Sequence, residues 1–492
     1  MRRFSCCAVL VSMIFGGGAA IAQPGGTTTG PDLITGDILS TVSYAGSSGI
    51  TAYSFGATSC NIGSLPVSWI LATNQHPVVT RGLYRLRDGV MEQIGMSWCQ
   101  HLFFALSQAL CSAGACTPTA GTSLGVGCSD PLSASTAGAQ QNLGPRSAVN
   151  AATGDFAYPF SAPAFTGALD RRLQVAVADL DPTLNPGALY FVSTYYLAAD
   201  DTVAGNDLNN GSYRQLSVAA SPSGQFELQF LAGQTTVRQK SPIEAWQDAL
   251  PDVSVQFVDV AGDGRIIAAC RVIPAAGLYR YEYAFYNQNS DRCVSAISVP
   301  LGGATVSAPG FHAVASHSGE PYSNAPWSAT ISPAEVVWAT ESFATNPNAN
   351  ALRWDTMYNF RFLSAQAPAT GAVTLTLFKP GATTTVVAQL PAPGSAIVEQ
   401  RFIRGDVNLD GFINIADPVT LLEVLFVPGS GLLDCEKAAD ANDDGTRDIA
   451  DVITHLNSLF VPLTPPLAAP YPDCGFDPTP DTLSCEDFAP CP

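Results

Sequence analysis

Two stretches near the C-terminus place oxygen-bearing side chains at the spacing of a calcium loop. In the first, Asp406, Asn408, Asp410, Asn414 and Asp417 fall at loop positions 1, 3, 5, 9 and 12, with Gly411 at position 6 and Phe412 at position 7. In the second, Asp440, Asn442, Asp444, Asp448 and Asp451 repeat those positions, with Gly445 at 6 and Thr446 at 7. Calcium is a hard cation that takes 6–8 oxygens. This pattern wraps carboxylate, amide and position-7 backbone carbonyl oxygens around one point, and glycine allows the sharp turn. The chemistry expected here is the binding of two calcium ions. Loop two carries one more liganding carboxylate and is expected to be the tighter site.

The repeat extends past the loops, since residues 406–428 align without a gap on residues 440–462 and both copies end Leu-Phe-Val-Pro. Apolar residues at helical spacing follow each loop: Ile415, Val419, Leu422 and Phe426, then Ile449, Ile453, Leu456 and Phe460. Two amphipathic helices are expected to face each other through these residues. Pro418 is tolerated in a first turn, and Pro428 and Pro462 stop the helices. No entering helix precedes either loop, so each unit is half of an EF-hand.

This duplication resembles the type I dockerin domain over residues 401–463. The resemblance implies a compact module in which the twelve loop residues named above hold two calcium ions and which plugs a secreted protein into a cohesin-like or cell-surface partner. Loop positions 10 and 11 read Ile415-Ala416 and Ile449-Ala450 instead of the Ser-Thr pair common in one group of the family. A Cys- and Pro-rich tail follows at 464–492. That layout is similar to the dockerin-like repeats ending many secreted proteins of planctomycete-type bacteria, where no cohesin is required.

The rest of the chain must carry and export this unit. Arg2 and Arg3 precede an apolar run from Ala8 to Phe15, and Ala20-Ile21-Ala22 offers a small-residue cleavage site, so residues 1–22 read as a secretory signal peptide. No later stretch is apolar enough for a membrane span. Of 13 cysteines, Cys6 and Cys7 leave with the leader. The remainder group as Cys60, Cys99, Cys111, Cys116 and Cys128; Cys270 and Cys293; and Cys435, Cys474, Cys485 and Cys491. In an oxidising compartment they are expected to bridge within these groups, Cys270 with Cys293, leaving one cysteine of the first group free or in an intermolecular bridge. The net charge of −19 sits mostly in residues 401–492, which hold sixteen Asp and Glu against four Lys and Arg. No basic face is available for nucleic acid.

The body reads as β structure: a Cys-containing part at 23–153, a sandwich-like part at 154–385, and a linker at 386–400. Alternating runs such as 173–177, 188–196, 225–230, 278–286 and 372–378, separated by Asp-Gly and Pro-Gly punctuation, mark half-buried antiparallel strands. Segment 264–299 is expected to be a three-stranded meander, and Trp98 to Leu110 a helix. The fold class is thus mainly β, an antiparallel sandwich-type body with a small helical dockerin-like module.

Chemistry in the body is harder to read. His76, His101, His312 and His317 would make a copper or zinc site if they converged. Glu244, Glu282, Glu320 and Glu341 are the carboxylates available for glycoside hydrolysis. Ser123 in Gly-Thr-Ser-Leu-Gly matches a nucleophile elbow but lacks a following helix. Asp179 to Asn185 and Asp200 to Asn210 are oxygen-rich loops that either hold further calcium or form Asx turns. Trp246, Trp327 and Trp354 are candidates for stacking on sugars. The function expected is a secreted β-rich protein with a calcium module for attachment, assembly or surface retention, with polysaccharide as a further partner. The alternative is an extracellular glycoside hydrolase or metal-dependent enzyme tethered by that module.

Overall fold

The computed structural model describes residues 28–394 except 221–224 and 276, and residues 401–491 except 428, 429, 431, 432, 480–482, 484, 486 and 487. The expected leader, residues 395–400 of the expected linker, and Pro428 lie outside the described residues. The chain is mainly β, and its registered strand pairs are antiparallel. It divides into two compact units, Met1–Ala365 with Thr370–Ala392, and Gln366–Ala369 with Pro393–Pro492.

The first unit contains two five-stranded sheets and one of eleven strands, besides a two-stranded ribbon. The eleven-stranded sheet runs Leu33–Ser47, Ile50–Asn61, Leu173–Ala176, Val90–Met96, Val78–Arg87, Leu189–Leu197, Gly211–Ala220, Phe226–Phe230, with three short strands off this path. It therefore draws on both sides of the boundary expected at 153. Its first strand comes back beside Gly211–Ala220: the Thr35 N–H and hydroxyl donate to Asn210 O at 3.1 and 3.0 Å, and Ser212 Oγ donates to Thr35 O at 2.7 Å. Tyr53, Phe55, Leu83, Leu173, Val192 and Leu216 fill the space so enclosed.

The two smaller sheets share one core over residues 254–393, whereas the strands at 173–230, also expected in the sandwich, belong to the large sheet. One runs Ser254–Asp259, Arg265–Ala275, Leu278–Asn287, Thr356–Ser364, Val306–Ala313; the other runs Ser328–Ile331, Glu335–Ala339, Val294–Pro300, Pro368–Leu377, Thr385–Pro393. Alternation sorts the Leu278–Asn287 strand. Tyr281, Tyr283 and Phe285 enter the sandwich core with Phe360, Phe362, Trp338 and Leu375, whereas Ala284 and Tyr286 pack the other way, on Tyr84, Met91 and Phe191 of the large sheet. Each such buried side chain contributes roughly 1.5–3 kcal/mol over leaving it in water.

Several expectations are corrected. Arg265–Ala275 and Leu278–Asn287 form a hairpin, but the next strand, Val294–Pro300, crosses to the opposite sheet, so 264–299 is not a meander. Cys270 accordingly lies in the sandwich core while Cys293 packs with Ala349, Ala351 and Phe378, and both are free thiols. Cys60–Cys111, Cys116–Cys128, Cys435–Cys485 and Cys474–Cys491 are bridged, within the expected groups, and Cys99 is free and buried. No helix forms at 98–110, where Cys99–His101 is a strand on the edge of Val78–Arg87. The last body strand, Thr385–Pro393, takes up much of the expected linker. Among the described residues no helix is long and apolar enough to cross a membrane.

Candidate functional site

The second unit is built from the two acidic loops, each leading into a helix, Ala416–Phe426 and Ile449–Phe460. Asp448 caps the second helix, accepting from Ala450 N at 2.6 Å, and Asp451 completes a capping box. A single short turn of helix, Glu436–Ala439, precedes loop two. The two loops match position for position. Gly411 and Gly445 take φ of 81° and 79° at the turn, a region open to glycine without strain. Asp406 Oδ2 accepts from Gly411 N at 2.9 Å, as Asp440 Oδ2 does from Gly445 N at 3.0 Å. Asp417 Oδ2 accepts from Asn414 N and Asp451 Oδ2 from Asp448 N, both at 2.8 Å. Asn408 and Asn442 each hold the position-5 aspartate at 2.9 Å.

The position-1 and position-12 carboxylates Asp406, Asp417, Asp440 and Asp451 are all fully buried. Burial raises Asp406 and Asp440 above the usual carboxylate range and pushes Asp451 up to about 6. Asp440 has Arg404 at 3.8 Å; among the described residues Asp406, Asp417 and Asp451 form no ion pair. Buried carboxylates without a cationic partner are costly as anions even when backbone N–H groups donate to them, and a divalent cation answers that cost. The accompanying donors are amide and carbonyl oxygens with no sulfur or imidazole, the set that suits calcium. Among the described residues, no three His, Cys, Asp or Glu side chains form a group that could hold a metal. In donor type, sequence spacing and burial, though not as a converged cluster of carboxylates, the loop residues match what calcium takes. Phe412 and Thr446 take position 7, both at the surface.

The helices do not meet as expected. They pack through Leu421, Leu422 and Leu425 against Val452 and Leu456, with Val407 and Ala439. Ile415, Val419 and Phe426, and their counterparts Ile449, Ile453 and Phe460, are exposed instead, the two phenylalanines 64 % each. Each helix carries two adjacent apolar stripes, and only the leucine-bearing one finds a partner.

The Cys-rich tail is woven into this unit. Phe402 pairs with Gly475 in a β-bridge and packs near Phe488. Arg404, wholly buried, donates at 2.8 Å to Asp443 of loop two and to Asp477 of the tail, and at 2.9 Å to Ala469 O. Nothing in the spacing of the motif singles out Arg404. Its place two residues before the first loop aspartate is the only sequence signal.

In the body, the candidate residues disperse. His76 Nε2 and His101 Nδ1 lie 3.1 Å apart in a buried box of Phe156, Tyr158 and Phe160. His312 and His317 are instead hydrogen-bonded to the Gln93 and Met96 carbonyls at 3.0 and 2.9 Å. Burial lowers His101 to about 3 and His317 to about 4, so both are neutral near pH 7. The four-histidine metal centre does not form. Trp246, Trp327 and Trp354 are core residues. Glu244, Glu320 and Glu341 are spent on Ser241 N, Arg146 N and Asn346 Nδ2. Ser123 lies in a two-residue strand with no helix behind it. Asp181 accepts from Thr183 N in a local turn, while Asp201 accepts from Leu33 N and Asn210 Nδ2 and Asp207 from Asn289 Nδ2, tying distant parts of the chain together. Glu282 lines a cavity together with Glu92, which sequence reading does not single out.

No protein-family model matches the chain, and no curated protein matches it.

Proposed function

We propose that this is an exported β-rich protein whose C-terminal unit is a dockerin-like module that binds two calcium ions and attaches the protein to a cohesin-like or cell-surface protein. The observation that carries this reading is the duplicated exposed stripe Ile415, Val419, Phe426 and Ile449, Ile453, Phe460, standing beside two matching acidic loops. Exposed apolar side chains repeated in register on one small unit suit a protein contact better than solvent. Asp406, Asn408, Asp410, Asn414 and Asp417 would hold one ion and Asp440, Asn442, Asp444, Asp448 and Asp451 the other, with the Phe412 and Thr446 carbonyls completing the sets. Calcium supplies the positive charge that buried carboxylates lack, and so makes binding energy into folding energy for this unit. Four disulfides suit an oxidising compartment outside the cytosol.

Isothermal titration of the full chain should find two calcium ions, with Asp451→Ala removing the tighter site and Asp417→Ala the weaker. Phe426→Asp with Phe460→Asp should leave that stoichiometry intact and release the protein from the surface of the cells that export it. Retention unchanged in the double variant would defeat the attachment reading.

A further inference from the structure

Many of the body's charges are held in ion pairs or hydrogen bonds, the buried Arg146–Asp355 pair among them, and one cluster of six charged side chains surrounds a cavity. The Val78–Arg87 and Val90–Met96 hairpin meets the Leu278–Asn287 and Thr356–Ser364 strands around a cavity of about 300 Å³ lined by Arg87, Asp88, Glu92, Arg280, Glu282 and Arg361. The cavity volume is at the lower end of the range for small-molecule sites. Most of these groups are already engaged. Arg87 donates to Asn185 Oδ1 at 2.7 Å, Glu92 is held by Arg85 at 2.8 Å, and Arg280 donates to Asp88 O at 3.0 Å.

Two groups are not. Arg361 is exposed, and its guanidinium makes no ion pair or hydrogen bond among the described residues. Glu282, only 1 % exposed, uses one oxygen on Arg280 Nε at 3.1 Å, and its Oε2 is buried with no hydrogen-bond partner. The two residues are directly opposed in register across neighbouring strands, so a guanidinium that attracts Glu282 and Glu92 without a hydrogen bond stands beside an acceptor without a donor. A planar guanidinium pairs with a carboxylate through two parallel N–H donors. A buried acceptor without a donor costs about 1–3 kcal/mol until one arrives.

We infer that this cavity is a binding site for a small hydroxy-carboxylate, a uronic acid unit being the sugar form, whose carboxylate pairs with Arg361 and whose neighbouring hydroxyl donates to Glu282 Oε2. Both demands must be met by one ligand: a neutral sugar leaves Arg361 unpaired, and a simple carboxylate leaves Glu282 without a donor. An amino acid shares the carboxylate but brings an ammonium group, so the test must separate the two. The site lies wholly within the body and does not depend on the calcium reading.

The test is isothermal titration of the full chain with D-galacturonate, D-galactose and L-serine, each with calcium present and with chelator. Galacturonate should bind at one site per chain in both conditions, and galactose should not bind. Arg361→Ala should weaken galacturonate binding by about tenfold or more, Arg361→Lys by less because it keeps charge but loses the fork, and Glu282→Gln by a few-fold. Arg265→Ala, whose guanidinium pairs with Asp259 outside the cavity, should change nothing. Because Arg361 is exposed, its variants should fold as the parent does, which circular dichroism checks. Absence of galacturonate binding, equal binding of galactose, tighter binding of L-serine, or unchanged affinity in Arg361→Ala would each overturn the assignment.

Discussion

The two units differ in what they leave exposed. In the body, aromatic and branched residues such as Tyr283, Phe362 and Trp338 fill the space between sheets, and a buried charge such as Arg146 is matched by a buried opposite charge, Asp355, at 3.2 Å. In the C-terminal unit, Asp406, Asp417, Asp440, Asp451, Arg404 and His455 are fully buried, while Phe426, Phe460, Ile415 and Ile453 face outward. A large chain can bury enough apolar surface to hold itself together, and a small one cannot. The second unit therefore relies on two disulfides, the buried Arg404 hub and, on the reading proposed here, on calcium, which frees its apolar residues for a partner.

This contrast can be broken at its strongest point first. Trp338→Ala should cost the body about 3–5 kcal/mol by opening the sandwich core, with the C-terminal unit's own unfolding unaffected; denaturant unfolding followed separately for each unit checks this. Removing the Cys435–Cys485 bridge by Cys435→Ser with Cys485→Ser should cost the C-terminal unit about 2–4 kcal/mol and leave the body's transition in place. Equal loss in both units would erase the distinction.

A subtler effect concerns Glu282, which burial pushes up to about 7 against the attraction of Arg280 and Arg361, with Glu92 adding repulsion. Because the folded state holds this proton more tightly than the unfolded chain, stability is greatest below the ordinary glutamate range and falls as pH rises toward 7. The loss is about 2–3 kcal/mol. Glu282→Gln should flatten that fall in pH-dependent calorimetry; an unchanged slope would place the titration elsewhere. The smallest effect belongs to the exposed stripe. Phe426→Asp should alter stability by no more than about 0.5 kcal/mol, since nothing buries that ring, and a larger loss in thermal unfolding would mean it packs within the unit.

How far the sequence discloses this molecule depends on local pattern. Strands such as Leu189–Leu197 and Leu278–Asn287 are legible because aromatic and β-branched residues cluster between turn signals. Ile50–Asn61 is not, because it is buried along nearly its whole length by small and polar residues and shows no alternation. The loops are legible because their ligands are close in sequence. The helix interface is not, since Val419 and Leu422 both obey helical spacing and only packing decides which stripe is covered. The Cys270–Cys293 expectation fails because short separation in sequence conceals the crossing of Val294–Pro300 to the other sheet. The Glu282 and Arg361 cavity assembles strands far apart in the chain, and no spacing rule finds it.

The central claim is that calcium completes the C-terminal unit and not the body. Thermal unfolding of the full chain, monitored by differential scanning calorimetry in chelator and in excess calcium, tests it most directly. Calcium should raise the melting of the C-terminal unit, with the shift growing as calcium exceeds its dissociation constant, while the body's transition stays where it is. Identical melting of the C-terminal unit in chelator and in excess calcium would contradict it.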